Sequence, residues 1–175
     1  EGVPCVLTVA RGSVTEEVSA RFVVGADGAG SQVRKSIFPD LEASYSQAYQ
    51  EWFAVDVPLD RGHGHIFLAP EIAPFYGEAH YKGGFLVLDI GARMGKVKEA
   101  SRWFKEVLAA EFRFPPNTES AGKGACVEPV LYSQLFSGTF KPARGNVLLV
   151  GDAAGLIVPV TGEGIGTAML SGMAA

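Results

Sequence analysis

The sequence has few cysteines, no surplus of positive charge and no long apolar run. Cys5 and Cys126 lack both a CxxC partner and a histidine at metal-ligand spacing, which predicts reduced, half-buried thiols in a cytoplasmic protein. The formal charge is -4 and the 15 Lys and Arg residues form no basic tract, which argues against nucleic acid as a partner. No apolar run approaches the ~20 residues of a transmembrane helix, and the first residues lack the basic-then-apolar order typical of a signal peptide.

What the chain does contain is a composition typical of a folded domain. It has 175 residues, of which 47% are apolar and 19% charged, enough to bury a core. It begins at Glu1, and residues 167–175 form a small-residue helical pattern without a stop signal. We therefore expect an internal fragment of a longer protein.

Two strand-loop-helix patterns flank a different middle section. Residues 6–9 and 18–24 predict a hairpin whose second strand enters a glycine loop, and residues 31–37 can open a helix. Residues 146–152 are the strongest buried-strand signal, and a second loop and helix follow them. We predict one α/β domain built from residues 1–41 and 145–175, with the strands at 21–26 and 146–151 close together in one sheet.

The middle section, residues 42–144, predicts an α+β insert with a mainly antiparallel sheet. Its strand candidates are residues 50–57, 64–69, 74–81, 85–90 and 126–131. Lys82-Gly83-Gly84 predicts a hairpin turn, because glycine reaches positive φ without steric cost. Apolar residues at spacings of three and four predict one helix from about Val97 to the prolines at 115 and 116.

The first loop, Gly25-Ala-Asp-Gly-Ala-Gly-Ser-Gln-Val-Arg34, lets backbone approach a ligand closely. Its Asp27 offers a carboxylate to sugar hydroxyls, and Arg34 adds a positive charge nearby. A second interpretation is a structural turn in which Asp27 caps the following helix.

The second loop runs from Gly151-Asp152-Ala153-Ala154-Gly155 to Pro159-Val-Thr-Gly162-Glu163-Gly164-Ile165. Asp152 follows a buried strand, where open α/β sheets place ligands. The helix that begins near residues 162–164 exposes N–H groups suited to an anionic group.

These two motifs resemble those of flavoprotein oxidoreductases of the p-hydroxybenzoate hydroxylase type, and most closely the geranylgeranyl reductase-like branch. The resemblance implies part of a Rossmann-like FAD/NAD(P)-binding domain beside an antiparallel substrate domain. It also implies FAD as cofactor, with Asp152 bonded to the ribityl chain. The first loop would lie close to FAD and the second along the isoalloxazine ring. The cofactor-binding residues implied are Asp27, Gly28, Ala29, Arg34, Gly151, Asp152, Ala153, Ala154, Pro159, Gly162, Glu163, Gly164 and Ile165.

The family opens with a GxGxxG loop that holds the ADP half of FAD, and no residues here match it. We therefore expect that loop to precede Glu1 in the parent protein, and FAD binding by this chain to be weak or absent.

A substrate site is expected in the middle section. Residues 76–82 resemble a Tyr-x-Trp-x-Phe-Pro-Lys stretch of isoprenoid reductases, with Glu78 and His80 at the Trp and Phe positions. Tyr76, Glu78 and His80 are the candidate substrate residues. A carboxylate beside a prenyl chain would be desolvated, which puts a prenyl substrate in doubt. Glu78 and His80 share a strand face and are weak catalytic candidates for a proton relay; the alternative is a solvated face.

The resulting hypothesis is a FAD-dependent oxidoreductase, geranylgeranyl reductase-like, that transfers hydride between flavin and an apolar or amphipathic small molecule, with NADPH or another electron donor. The alternatives are a FAD-dependent aromatic-type monooxygenase and a non-catalytic flavin-fold binding protein. A lipid substrate would bring peripheral membrane contact. No metal is expected, because His63 and His65 have no third ligand nearby in the sequence.

Overall fold

The computed structural model describes the backbone of residues 4–69, 73–158 and 161–175. Side chains are described for the same residues except 69 and 73–75. The chain divides into two compact units, Glu1–Ser44 with Pro129–Ala175, and Tyr45–Glu128. The boundaries predicted from the sequence were near 42 and 144. The elements in chain order are β1 (Cys5–Arg11), β2 (Val14–Ala20), β3 (Val23–Gly25), α1 (Gln32–Ile37), β4 (Ser44–Phe53), β5 (His65–Ala69), β6 (Ala73–Lys82), β7 (Phe85–Arg93), α2 (Val97–Phe112), β8 (Gly122–Val130), α3 (Tyr132–Phe136), β9 (Ala143–Arg144), β10 (Val147–Leu149) and α4 (Ile165–Ala174).

The first unit contains an antiparallel hairpin and a small mixed sheet. Strands β1 and β2 pair from Cys5 opposite Ala20 to Arg11 opposite Val14, so the predicted hairpin is present, although its second strand begins at Val14 and not near residue 18. The predicted strand at 18–24 is in fact two strands, because pairing with β1 ends at Ala20 and β3 pairs with β10 instead. Strand β10 lies in the middle of this sheet, parallel to β3 and antiparallel to β9.

A small apolar core supports this sheet. Leu131, Phe140, Leu149 and Ala154 are buried together. The ring of Phe38, just after α1, meets Phe140 edge-on at 5.1 Å between centroids. This core fixes α1 and the end of β10, the two elements from which the glycine loops extend.

The second unit is a five-stranded sheet covered on one face by α2. The strand order is β5-β6-β7-β4-β8, and the pairs β5–β6, β6–β7 and β4–β7 are antiparallel, which confirms the predicted antiparallel sheet. The turn between β6 and β7 uses Gly83 and Gly84 at φ of 58° and 86°, as expected for this hairpin.

Helix α2 packs its predicted apolar stripe against the sheet. Phe104 and Leu108 are fully buried with Leu86 and Leu88 of β7. The helix ends at Phe112, before the prolines, because Arg113 turns left-handed at φ 57° and Phe114 N donates to Leu108 O at 3.1 Å. Among the described residues of the second unit, no helix covers the opposite face of the sheet. No helix in the described part of the chain is long and apolar enough to cross a membrane.

Candidate functional site

The two glycine loops meet at one edge of the first unit's sheet. Val23 pairs with Val147 and Gly25 with Leu149, and Val150 N donates to Gly25 O at 3.0 Å. Since parallel strands end at the same edge, the loops that follow β3 and β10 start side by side. The predicted proximity of these strands is confirmed.

Arg34 ties the two loops together. Its side chain is 2% exposed. One guanidinium nitrogen, Nη1, donates to Ala153 O at 2.7 Å and to Asp152 O at 3.2 Å, and Nη2 donates to Ala29 O at 2.6 Å. The buried charge is therefore held by carbonyls of both loops, and direct contact of Arg34 with a cofactor stays a prediction.

Asp27 caps helix α1. Its carboxylate accepts from Ser31 Oγ at 2.6 Å, from Gln32 N at 2.7 Å and from Val33 N at 3.1 Å. Burial alone would raise the Asp27 pKa, but these hydrogen bonds outweigh it and hold the pKa below its ordinary value. Of the two interpretations left open by the sequence, the structure shows the capping one. A further contact between Asp27 and a sugar hydroxyl stays a prediction.

Close packing explains the small residues of the second loop. Residues 151–154 form a single 3₁₀ turn, which begins with Gly151 at φ 54° and is followed by Gly155 at φ 70°. A Cβ on Gly151 would lie 3.0 Å from Ala168 Cβ of α4, and Ala153 and Ala154 are fully buried. The turn can approach α4 this closely only because its residues are tiny.

Asp152 faces the start of helix α4. A Cβ placed on Gly164 would lie 3.1 Å from Asp152 Oδ1, so the carboxylate packs closely against a residue that has no side chain to crowd it. The Asp152 carboxylate makes no side-chain hydrogen bond to any residue that the structure describes. A carboxylate without a described hydrogen-bond partner, beside a helix N-terminus, fits the hydroxyl donors of a polyol chain such as ribityl.

Helix α4 begins at Ile165, slightly later than predicted, and Glu163 already caps it. Glu163 Oε1 accepts from Gly166 N at 2.5 Å. The loop before the helix closes on itself, since Val158 N donates to Glu163 O and Gly162 N to Val158 O, both at 2.9 Å. Ile165 is 78% exposed at this edge. Pro159, the remaining predicted residue of this loop, lies outside the described residues.

The second unit holds a separate polar cluster on the sheet face opposite α2. Tyr76, Glu78 and His80 alternate along β6, and Asp89 of β7 stands directly opposite Glu78. His80 Nδ1 lies 3.4 Å from Glu78 Oε1 and 3.7 Å from Asp89 Oδ2. Gln50 Nε2 of β4 donates to the other oxygen, Asp89 Oδ1, at 2.5 Å.

These side chains are too buried for the solvated face that the sequence left as an alternative. Their exposed fractions are 25% for His80, 31% for Glu78 and 21% for Asp89. Burial raises the Asp89 pKa, although the Gln50 hydrogen bond and the charges of His80 and Lys82 oppose the rise. Burial, followed by the charges of Glu78, Asp89, Glu128 and Cys126, raises the pKa of Tyr76 to about 12.

Sequence reasoning missed Asp89 and Gln50, although one signal could have found Asp89. The glycine turn pairs Lys82 with Phe85, and this register carries Glu78 to Asp89. By contrast, His63 and His65 both bind Asp60 on the exposed surface, through its carboxylate at 2.8 Å and its carbonyl at 3.0 Å.

Comparisons with known proteins agree with this arrangement. Residues 1–87 match the family model of the FAD binding domain. The chain is 31% identical over 155 residues to protein CbrA of Escherichia coli O9:H4 (strain HS), which covers 88% of this chain and 40% of that protein. For CbrA of Escherichia coli K12 the identity is 30%, with 88% and 42% covered. The chain thus spans about two fifths of the length of the curated relatives it matches.

Solved structures share the fold at low identity. A geranylgeranyl bacteriochlorophyll reductase-like protein from Thermoplasma acidophilum has a TM-score of 0.66 at 21% identity, covering 95% of this chain and 42% of the other. CmlS, a flavin-dependent halogenase, has 0.61 at 17%, covering 95% and 32%. OxyS anhydrotetracycline hydroxylase from Streptomyces rimosus has 0.55 at 17%, covering 95% and 33%. These likenesses show the fold of Rossmann-like flavoproteins, which confirms the predicted fold class, and the domain match supports FAD as the cofactor.

Proposed function

We propose that this chain supplies the flavin and ribityl side of an FAD site in a FAD-dependent oxidoreductase that acts on a small molecule. The observation that carries the proposal is that the two glycine loops lie side by side and are held together by Arg34. The second loop contains the Asp152 carboxylate, which makes no hydrogen bond to any described residue. The match of residues 1–87 to the FAD binding domain supports it independently.

Each loop has a distinct part in holding FAD. Asp152 would accept hydrogen bonds from ribityl hydroxyls, while the backbone of Gly162, Gly164 and Ile165 would lie along the isoalloxazine ring. The loop at Gly28 and Ala29 would face the same cofactor from β3. When bound, FAD supplies two-electron redox chemistry, and these residues orient it and exclude water.

Within this class we propose a reductase of the geranylgeranyl reductase-like type, because the second loop from Asn146 to Ile165 carries the resemblance. The substrate would be an amphipathic small molecule bound against the polar face of the second unit, at Tyr76, Glu78 and His80. Half-buried carboxylates on that face disfavour a purely prenyl chain, since covering them with apolar groups would remove the water that still reaches them. A monooxygenase is the second candidate, favoured by the shared fold with a hydroxylase.

The proposal assigns the flavin half of FAD to this chain, so ligand fragments test it. Riboflavin, FMN and ADP would each be titrated against the purified 175-residue chain, following flavin fluorescence and competition. We expect weak saturable binding of riboflavin and FMN, and no competition by ADP, because no residues here match the ADP-holding GxGxxG loop.

Asp152→Ala should weaken riboflavin binding about tenfold or more, the effect of losing hydrogen bonds to a charged acceptor. Asp40→Ala is the matched control, since Asp40 is exposed in the same unit and lies outside both motifs. Competition by ADP but not riboflavin, or equal riboflavin affinity in the Asp152 variant, would contradict the proposal.

A further inference from the structure

We propose that Glu78, His80 and Asp89 bind one divalent transition-metal ion on the sheet face of the second unit. The cluster combines one imidazole with two carboxylates, a donor set suited to Zn²⁺, Mn²⁺ or Fe²⁺ rather than to the oxygen-only sites preferred by Ca²⁺ and Mg²⁺. All three ligand atoms lie within 4.8 Å of one another.

The distances within the cluster match a shared ion better than direct contacts. Two ligands bonded at 2.0–2.1 Å to a tetrahedral Zn²⁺ stand about 3.3 Å apart. His80 Nδ1 lies 3.4 Å from Glu78 Oε1 and 3.7 Å from Asp89 Oδ2, so both separations are within a few tenths of an ångström of that value. For a nitrogen-to-oxygen hydrogen bond both separations are long.

The His80 nitrogen itself indicates a missing partner. Nδ1 is shielded from solvent and makes no hydrogen bond to any residue in the described part of the chain. Buried polar atoms in native proteins are satisfied in the great majority of cases, and an exception needs a reason. An ion at this point would give Nδ1 a partner and neutralise both carboxylates.

The surroundings support a cation. Gln50 holds Asp89 through Oδ1, so the carboxylate is fixed with Oδ2 directed at His80, as a supporting hydrogen bond does for a metal ligand. Glu128 adds further negative charge, which is felt at Tyr76 together with the charges of Glu78 and Asp89. Besides His80, the charge of Lys82 also acts on Asp89. This inference uses the second unit alone and does not depend on the proposed FAD site.

The alternative to a metal ion at this position is a proton on His80. A metal titration distinguishes these two possibilities. The 175-residue chain, freed of any affinity tag and of metal, would be titrated with Zn²⁺ by calorimetry, while NMR follows the histidine ring signals. We expect one ion per chain, with His80 as the ring that shifts. His80→Gln should lower the affinity at least tenfold, and Asp89→Asn should also lower it.

His63→Gln is the matched control, because His63 also pairs with an aspartate but lies on the exposed surface. It should leave Zn²⁺ binding unchanged. Circular dichroism verifies that each variant is folded, and the ring signals of the wild-type chain give the answer even where a variant does not fold. Absence of stoichiometric binding, unchanged affinity in His80→Gln, or a response confined to His63 would overturn the proposal.

Discussion

Replacing Arg34 by methionine tests whether one buried side chain holds the two loops together. Methionine keeps much of the length and apolar volume of the stem but removes every donor. The change deletes the bonds to Ala29 O, Asp152 O and Ala153 O, which link α1 to the first loop and to the 3₁₀ turn after β10.

The magnitude follows from the burial of the three acceptors. A carbonyl left buried without a donor costs about 1–3 kcal/mol. Water can reach the part-buried carbonyls of Ala29 and Asp152 after the substitution, but Ala153 is fully buried and keeps the full penalty. The removal of a buried charge offsets part of the loss. We therefore expect the free energy of unfolding to fall by about 1–3 kcal/mol.

Urea unfolding followed by far-ultraviolet circular dichroism measures the total effect, and amide hydrogen exchange locates it. Exchange should accelerate in residues 29–33 and 151–155 of the first unit. Arg34→Lys should fall between the wild type and Arg34→Met, because an ammonium cannot reproduce the planar fork.

Arg61→Met is the control, since Arg61 is 57% exposed and pairs with Asp56 at the surface. It should change stability by less than about 0.5 kcal/mol. If Arg34→Met cost less than about 1 kcal/mol, or if exchange rose evenly over the chain, the two loops would not depend on this clamp.

Two further predictions concern the first loop. Gly25→Ala should destabilise the chain by about 1–3 kcal/mol, because its Cβ would lie 2.7 Å from Leu149 Cδ2 and 2.9 Å from Val33 Cβ. Gly30→Ala, where nothing lies within 4 Å, should be neutral in the same urea assay, and equal effects would refute the packing argument. The lowered pKa of Asp27 means that its stabilisation is complete above the ordinary value of 3.8 and is lost as pH falls through the folded-state pKa. The stability difference between wild type and Asp27→Asn should therefore narrow on acidification, and a difference independent of pH would contradict the capping assignment.

Local signals in the sequence predicted most of the fold. The hairpin turn at Gly83 and Gly84 and the apolar stripe of α2 depend on neighbouring residues, and both were found where predicted. The extent of the strands was less predictable. The pattern of residues 146–152 predicted a longer strand than the structure has. Strand β10 pairs only from Val147 to Leu149, because the chain turns at Gly151 into the 3₁₀ helix.

The roles of polar residues depended on distant contacts and were harder to predict. Arg34 is followed by a helical pattern and preceded by glycines, but no local feature indicates that its partners are Asp152 and Ala153, more than a hundred positions away. Asp89 belongs to the polar cluster only through strand register. The motif spacing correctly predicted which segments lie close together. It did not show which polar atoms in them already form hydrogen bonds within the chain.

The polar motif residues fall into two groups, those whose side chains form hydrogen bonds within the chain and those whose side chains do not. We expect substitutions in the two groups to have different effects on stability and on flavin binding. Asp27 and Arg34 direct their polar atoms at backbone groups of their own chain, so their loss should lower stability first and cofactor binding only as a consequence. The Asp152 carboxylate lies beside Gly164 without a hydrogen bond to any described residue, so its loss should weaken flavin binding with little change in stability. A protein uses a buried, hydrogen-bonded charge to fix a loop and leaves unbonded the acceptor that a ligand will meet. If Asp152→Ala instead lowered the free energy of unfolding as much as Arg34→Met does, the role of Asp152 would be structural. Its assignment as a ligand-binding acceptor would then be wrong.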